Sequence, residues 1–342
     1  VVWTETDNDD AFSRILETDD RRFYSTDRFV QHLDAQALQT VEWLVGELNV
    51  EENPVILDLM GSWDSHLPQS IHEKRVVGLG LNDRELRRNT ALDEVVLHDL
   101  NEDPHLPFPD ESFDVVLNTV SVDYMTRPVE VFRDVGRILK PGGLFLVIFS
   151  NRMFKEKAVK IWRESSEAVR VDLVKSYFEK APMFEAPQEF ASMGQPRPEN
   201  DKYAHLGIPS DPVWAVYSDK KGGARNRPER PTPQLESAQM PSKDQIKKRK
   251  QNAHTTLRCP YCNVRMKKWA VPQTPFTQWD SEFMYVCFND SCPYLVGGWE
   301  TMTRQGNPGF SYRIMYEPKR DTFIPVSVPN LKIMKDGIVD ED

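Results

Sequence analysis

Four cysteines are the whole supply of this chain, and all of them fall between positions 259 and 292. "CPYC" places Cys259 and Cys262 in a C-x2-C knuckle, and "CFNDSC" places Cys287 and Cys292 in a looser C-x4-C pair, with 24 residues between the two halves. Two such halves close tetrahedrally on one metal, and four protein ligands leave no open position, so the centre is expected to be structural rather than catalytic. Zinc is favoured over iron because the second spacing is loose and the compartment is read as reducing. Four unrelated buried thiols are the plainer alternative. A second candidate centre is "LDLMGSWDSHL", residues 57 to 67, where the apolar run Val55-Ile56-Leu57 leads into Asp58 as a buried strand enters a ligand loop. Gly61 would let backbone approach a ligand closely, whereas Trp63 stands where a smaller residue is expected and either stacks on a ligand or closes over it. Farther on, Asp99 and Leu100 follow another apolar run, placed to meet an amino group and a ring face.

These residues need a scaffold, and the periodicity supplies one. Short, near-continuous apolar runs at 55–57, 76–79, 95–97, 115–117 and 144–148 read as strands covered on both faces. Helical segments separate them. Leu38, Val41, Leu44, Val45 and Leu48 share one face, as do Val129, Phe132, Val135, Ile138 and Leu139 before the Lys140-Pro141-Gly142-Gly143 stop. A further helical stretch covers about 155 to 180, and 213–217 reads as one last strand. Alternation of this kind predicts an α/β fold, a doubly wound Rossmann-like sheet, with a small C-terminal zinc-binding domain. In such sheets the ligand lies beyond the carboxyl ends of the strands, where the strand order reverses.

The chain has 342 residues, 39% hydrophobic and 28% charged, with a net charge of −10, which fits a globular protein. No apolar run approaches the roughly 20 residues of a membrane span. Charge is uneven: 219–252 holds ten Lys or Arg against four acids, net +6, leaving −16 elsewhere. Bulk nucleic-acid binding is therefore disfavoured but left open. Five regions are expected: an acidic N-terminal arm or strap, 1–22; an α/β domain, 23–222; a basic, proline-rich linker, 223–252; a zinc-ribbon-like domain, 253–330; and an acidic tail along a surface, 331–342. "KKRK" at 247–250 is either a localisation or phosphate-binding patch or, on the plainer reading, part of a solvated linker. Trp269, Phe276, Trp279, Phe283, Tyr285, Phe288, Tyr294 and Trp299 fill the core of the small domain, an exposed subset serving as a docking face. Cysteine usage points to a reducing intracellular, cytoplasmic setting, with a plastid or mitochondrion after presequence removal as the alternative.

"VILDLMGSW", "VVGLGLN", "HDLNEDPHLPFPDESFDVVL" and "VFRDVGRILKPGGLFLVIFSN" together resemble class I S-adenosylmethionine-dependent methyltransferases of the small-molecule type 11 kind, over about residues 28 to 220. "LDLMGSWDSHLP" and "FSNRMF" are similar to a subgroup common in photosynthetic organisms. The resemblance implies seven strands with the last antiparallel, and S-adenosylmethionine as cofactor at Asp58, Gly61, Trp63, Asn82, Asp99 and Leu100. The family's ribose-binding acid at the end of the second strand aligns with Gly80, and Asn82 or Asp83 would have to substitute. "CFNDSCPYLVGGWE" resembles small zinc-finger proteins of the phage Ogr/Delta type. No catalytic triad is found; His66, Asp123 and Tyr124, with Tyr24 and His32, are candidates to shape the acceptor side. The expected function is S-adenosylmethionine-dependent methyl transfer to an unidentified acceptor, selected or docked by the zinc module, which also offers a place for a protein partner. The competing expectation is a catalytically silent methyltransferase-like scaffold or subunit of a larger assembly.

Overall fold

The computed structural model describes residues 10–71, 74–223, 230–233, 240–272, 281–307 and 309–339. Phe276 and Trp279 lie outside the described residues, as do 1–9 of the acidic arm, 224–229 and 234–239 of the expected linker and 340–342 of the tail. The chain forms two compact units. The first comprises Val1–Leu33, Ala37–Ala191 and Val213–Pro233; the second comprises Asp34–Gln36, Ser192–Pro212 and Gln234–Asp342.

In the first unit the elements follow as α1 (Asp20–Tyr24), α2 (Ala35–Leu48), β1 (Val55–Leu59), β2 (Arg75–Gly80), α3 (Asp83–Arg88), β3 (Glu94–Leu97), β4 (Phe113–Thr119), α4 (Pro128–Ile138), β5 (Leu139–Phe149), α5 (Lys160–Glu164), α6 (Glu167–Glu179), β6 (Gln188–Ser192) and β7 (Val213–Asp219). They build one seven-stranded sheet of order β3-β2-β1-β4-β5-β7-β6. β1 pairs in parallel with both β2 and β4, and β7 runs antiparallel to β5. Strand order reverses between β1 and β4, which creates a crevice at their carboxyl ends. Helices cover the sheet through the faces their periodicity marks: Val41, Leu44, Val45 and Leu48 of α2 are buried, as are Val131, Phe132, Val135 and Ile138 of α4. Phe132 meets Phe145 of β5 edge-on, ring centroids 4.8 Å apart.

Three local differences from the sequence reading have simple causes. The stretch 155–180 is two helices, because Ser166 caps a new one by accepting from the Val169 N–H. β6 went unforeseen, since "QEFAS" is a mostly exposed strand with little apolar content. Lys140 to Gly143 does end α4, but these residues then belong to the start of β5.

The second unit contains α7 (Lys243–Gln251), α8 (Ala253–Thr256), β8 (Lys267–Ala270), β9 (Phe283–Val286), α9 (Pro293–Arg304), β10 (Ser311–Glu317) and β11 (Thr322–Val328). Its antiparallel sheet has the order β11-β10-β9-β8. Its larger core cluster is built around Cys259, Cys287, Cys292, Met266, Leu295 and Trp299, with Trp269 in a second cluster. α7 occupies the last part of the segment expected to be a linker.

Candidate functional site

A cavity of about 310 Å³ opens in the first unit, within the size range of small-molecule sites. Asp58, Gly61, Trp63, Asn82, Asp99 and Leu100 all line it, so the structure brings the six predicted cofactor residues to one wall. Asp58 is a buried residue of β1, aligned with Gly78 of β2 and Leu117 of β4. Burial pushes its carboxyl up to about 6, against a hydrogen bond from the Ser65 hydroxyl at 2.7 Å. Ser65 in turn receives the Asn89 amide at 2.8 Å, which also donates to the Ser62 carbonyl, so Asn89 staples the loop closed.

The loop lies unusually close to its neighbours. A Cβ on Gly61 would stand 2.5 Å from Asp58 Oδ2, and a Cβ on Gly80 would stand 2.5 Å from the Gly61 carbonyl oxygen. The Gly61 N–H donates to the Leu79 carbonyl at 2.9 Å, fixing that approach. A side chain at position 80 would have to displace this backbone, so the acid that the resemblance leads one to expect there finds no room in the loop as it stands. Met60 and Val120, at the exits of β1 and β4, both hold a positive φ (60° and 52°) and both line the cavity. For a β-branched valine that conformation costs on the order of 1–2 kcal/mol, and such strain concentrates where a ligand is held.

Neither proposed substitute for the acid is free. Asn82 caps α3 through Oδ1, to the Arg84 and Glu85 N–H groups, and its Nδ2 donates to the Tyr24 carbonyl at 2.9 Å. Asp83 is bound by Arg87 at 2.8 Å and is not part of the lining. The carboxylate that does reach the wall is Glu85, buried, accepting from the Ser62 hydroxyl at 2.5 Å and the Arg28 N–H at 2.6 Å. Sequence reasoning missed it, although Asn82-x-x-Glu85 carries the helix-start signature that buries such a glutamate near the strand end. Asp99 accepts from the Asn101 N–H at 2.9 Å, and Leu100 is buried beside it.

Residues between 20 and 33 and residues 152–154 complete the wall. Asp20 is buried and receives Arg14, the fully buried Lys157 at 2.6 Å and the Asn101 amide at 2.9 Å, which anchors the preceding strap. Tyr24, His32 and Tyr124 line the cavity with Phe154. The Tyr124 hydroxyl accepts from the Phe154 N–H at 2.8 Å, and burial holds its phenol neutral, well above the ordinary value. Burial likewise raises Tyr24, whose hydroxyl finds no hydrogen-bond partner among the described residues. Enclosure of the His32 ring lowers its imidazole below the ordinary value. His66 lines the cavity too, at φ 50°, but its ring lies 3.3 Å from Asp64, whose carboxyl the His66 hydrogen bond holds well below the usual range. Asp123 is not brought to the cavity. It lies buried behind the wall, its carboxyl pushed up to about 8 by burial.

In the second unit, the Sγ atoms of Cys259, Cys262, Cys287 and Cys292 lie within 4.8 Å of one another, without a disulfide. Two of the separations are 3.8 and 3.5 Å, against about 3.8 Å for a tetrahedron with metal–sulfur bonds of about 2.3 Å. The donor set thus fits a tetrahedral thiophilic cation. Cys259 and Cys262 sit on a tight turn in which the Asn263 N–H donates to the Cys259 carbonyl at 2.9 Å. The loop between Cys287 and Cys292 is held from behind by the fully buried guanidinium of Arg313, which donates to the Cys287 carbonyl at 3.1 Å and pairs with Asp290.

Residues 61–147 match the family model described as a methyltransferase domain. The sheet order defines the fold of the first unit, a doubly wound Rossmann-like sheet, and the match covers about a quarter of the chain. Over 91 residues the chain is 36% identical to the fatty-acid O-methyltransferase of Mycolicibacterium smegmatis, covering 25% of this chain and 32% of that protein. Over 60 residues it is 37% identical to the methyltransferase GfsG of Streptomyces halstedii, covering 18% and 22%. The chain thus spans a third or less of the length of these relatives. The crystal structure of a putative methyltransferase from Bacillus halodurans is 16% identical, with a TM-score of 0.37, covering 55% of this chain and all of that one. No described helix is long and apolar enough to cross a membrane.

Proposed function

We propose that the first unit binds S-adenosylmethionine and transfers its methyl group to an acceptor, and that the second unit is a structural zinc module. One observation carries the first part: Asp58, Gly61, Asn82, Asp99 and Leu100 converge on one cavity at the β1/β4 switch point, beside the strained Met60 and Val120. Asp58 is a buried carboxyl whose hydrogen-bond donor is a neutral hydroxyl, suited to a ligand that brings positive charge. Glu85 supplies the acid that Gly80 cannot carry. Its Oε2 takes one donor, the Ser62 hydroxyl, so a lone pair remains there for a ribose hydroxyl, whereas Oε1 already takes the Arg28 N–H and, at 3.4 Å, the Asn82 amide. Asp99 and Leu100 meet the base.

Bound there, the sulfonium cofactor would supply an already activated methyl group. What the chain contributes is then alignment and exclusion of water. Tyr24, His32, Tyr124 and Phe154 shape the acceptor side, and Trp63 covers the loop, its indole N–H donating to the Val30 carbonyl at 3.3 Å. His32 is the group in that wall best suited to take a proton, since its lowered pKa leaves the imidazole neutral near pH 7. On this reading the zinc module selects or docks the acceptor and offers a place for a protein partner. Ultraviolet cross-linking of radiolabelled S-adenosylmethionine to the full chain, followed by peptide mapping, tests the cofactor reading. Label on peptides that line the cavity, 57–66, 80–85 or 98–101 above all, is the expected result; label only on peptides outside the cavity, or none, refutes it.

A further inference from the structure

Residues 243–268 hold nine Lys or Arg and one acid, Asp244, in a chain whose net charge is −10. The core of this helix does not account for that composition. α7 has no fully buried residue and a single apolar one, Ile246, and a nine-residue helix of that composition has too little of its own to persist in water. It is fixed by other means. Ser242 and Gln245 form a reciprocal capping box, and Arg249 Nη1 donates to the Pro260 and Tyr261 carbonyls at 3.2 and 3.3 Å. The helix is thereby pinned to the cysteine knuckle and its charges are held in place.

One end of the charged helix meets aromatic rings. Lys243, Lys247 and Lys250 are spaced i, i+4, i+7 and share one stripe of α7. The Lys250 ammonium lies 5.9 Å from the centroid of Tyr261 and 5.6 Å from that of Phe323. Tyr261 stacks on Tyr294 with centroids 4.2 Å apart at 22°, and Tyr294 continues to Tyr312 at 4.7 Å. All three tyrosines are half-buried. Beside the stack runs a groove of about 520 Å³ lined by Ser242, Gln245, Arg249, Tyr261, Asn289 and Ser291.

We infer that this face of the second unit is a binding site for single-stranded nucleic acid. The lysine stripe and Arg249 meet phosphates, the groove's amides and hydroxyls meet sugar and base edges, and the tyrosine stack offers ring surface to bases. A centre of four thiolates and one divalent metal carries two net negative charges and would be offset by two cations, so it leaves most of the nine unexplained. An acidic protein partner is the competing occupant, since Met240, Pro241, Tyr261 and Pro293 also line the groove, and competition between a polyglutamate peptide and RNA separates the two.

The test is fluorescence anisotropy with the full zinc-loaded chain and a labelled, mixed-sequence single-stranded RNA of ~16 nucleotides. It needs no S-adenosylmethionine, so its outcome is independent of the cofactor reading. Micromolar binding is expected at ~50 mM salt. With about four phosphates neutralised, the affinity falls roughly 50-fold by ~200 mM salt. The charge-reversing pair Lys247→Glu and Lys250→Glu weakens binding by at least about tenfold. The milder pair Lys243→Gln and Lys247→Gln, on exposed positions, weakens it less, with zinc content unchanged as the check on folding. No anisotropy change at ~50 μM protein and low salt would overturn the assignment. So would variants that bind like the parent, or a polyglutamate peptide that competes as well as RNA of equal charge.

Discussion

Replacing Gly80 by alanine tests why this chain lacks an acid at the end of β2. The added Cβ would stand 2.5 Å from the Gly61 carbonyl oxygen, whereas Cβ atoms are essentially never found closer than 3.0 Å to another heavy atom. The obstacle is backbone, and it is held by the Gly61 N–H bond to the Leu79 carbonyl at 2.9 Å, so it cannot yield as a side chain would. Overpacking of this kind costs about 1–3 kcal/mol. If relief comes by breaking that hydrogen bond, about 1 kcal/mol is added. For a unit of this size, a loss of about 2–4 kcal/mol lowers the melting temperature by about 4–16 °C. Differential scanning calorimetry of the full chain reads it directly. Gly297→Ala is the matched control, because its new Cβ meets nothing within 4 Å. Gly80→Asp should be destabilised like Gly80→Ala and should not tighten cofactor binding. A Gly80→Ala protein that melts with the parent, or a Gly80→Asp protein that binds S-adenosylmethionine more tightly at no loss of stability, would refute the steric argument.

Two further outcomes follow from the same geometry. Burial pushes Asp58 up to about 6, so affinity for a cationic ligand should be flat above pH ~7 and fall about tenfold per unit below ~6. The ligand-free fold behaves oppositely: with the folded value above the unfolded 3.8, this group's stabilising contribution is present below 3.8 and lost as pH rises through about 6. Asp58→Asn should flatten both profiles, measured by calorimetric titration and thermal melts from pH 4 to 8. Cys287→Ser should abolish the transition of the second unit and leave that of the first largely intact, since zinc binding contributes about 10–16 kcal/mol to folding such modules. Calorimetry with elemental analysis checks this; absence of stoichiometric zinc in the parent, or a native disulfide, would contradict it.

Much of this was legible from residue order because buried strands announce themselves. Val55-Ile56-Leu57 and Val115-Val116-Leu117 are apolar on both faces, so the carboxyl ends of these strands, and hence the neighbourhood of the cavity at Asp58, followed from alternation and the rule that ligands lie beyond those ends. The cysteine spacing carried the other centre for the same reason: ligand chemistry is local. What did not show was anything that depends on a long-range approach. Nothing in "VVGLGLN" says that Gly80 faces the Gly61 carbonyl, so its acid looked lost rather than excluded. Glu85 reads as one more surface charge on "DRELRR" until α3 turns it inward to Ser62. Asp123 was a candidate to shape the acceptor side, yet it is buried and does not line the cavity. α7 was hidden by its lack of an apolar period, although Ser242-x-x-Gln245 marked its start.

The claim at the centre of the account is that the cavity at the β1/β4 switch point holds S-adenosylmethionine through Asp58, Glu85 and Asp99. Isothermal titration calorimetry with S-adenosylmethionine and S-adenosylhomocysteine, on the parent chain and on Asp99→Ala, tests it most directly. The account predicts one site per chain with micromolar affinity, weakened about tenfold or more by Asp99→Ala, since a hydrogen bond to a charged group contributes about 1.5–3 kcal/mol. No heat at millimolar ligand, or binding that Asp99→Ala leaves unchanged, would contradict it.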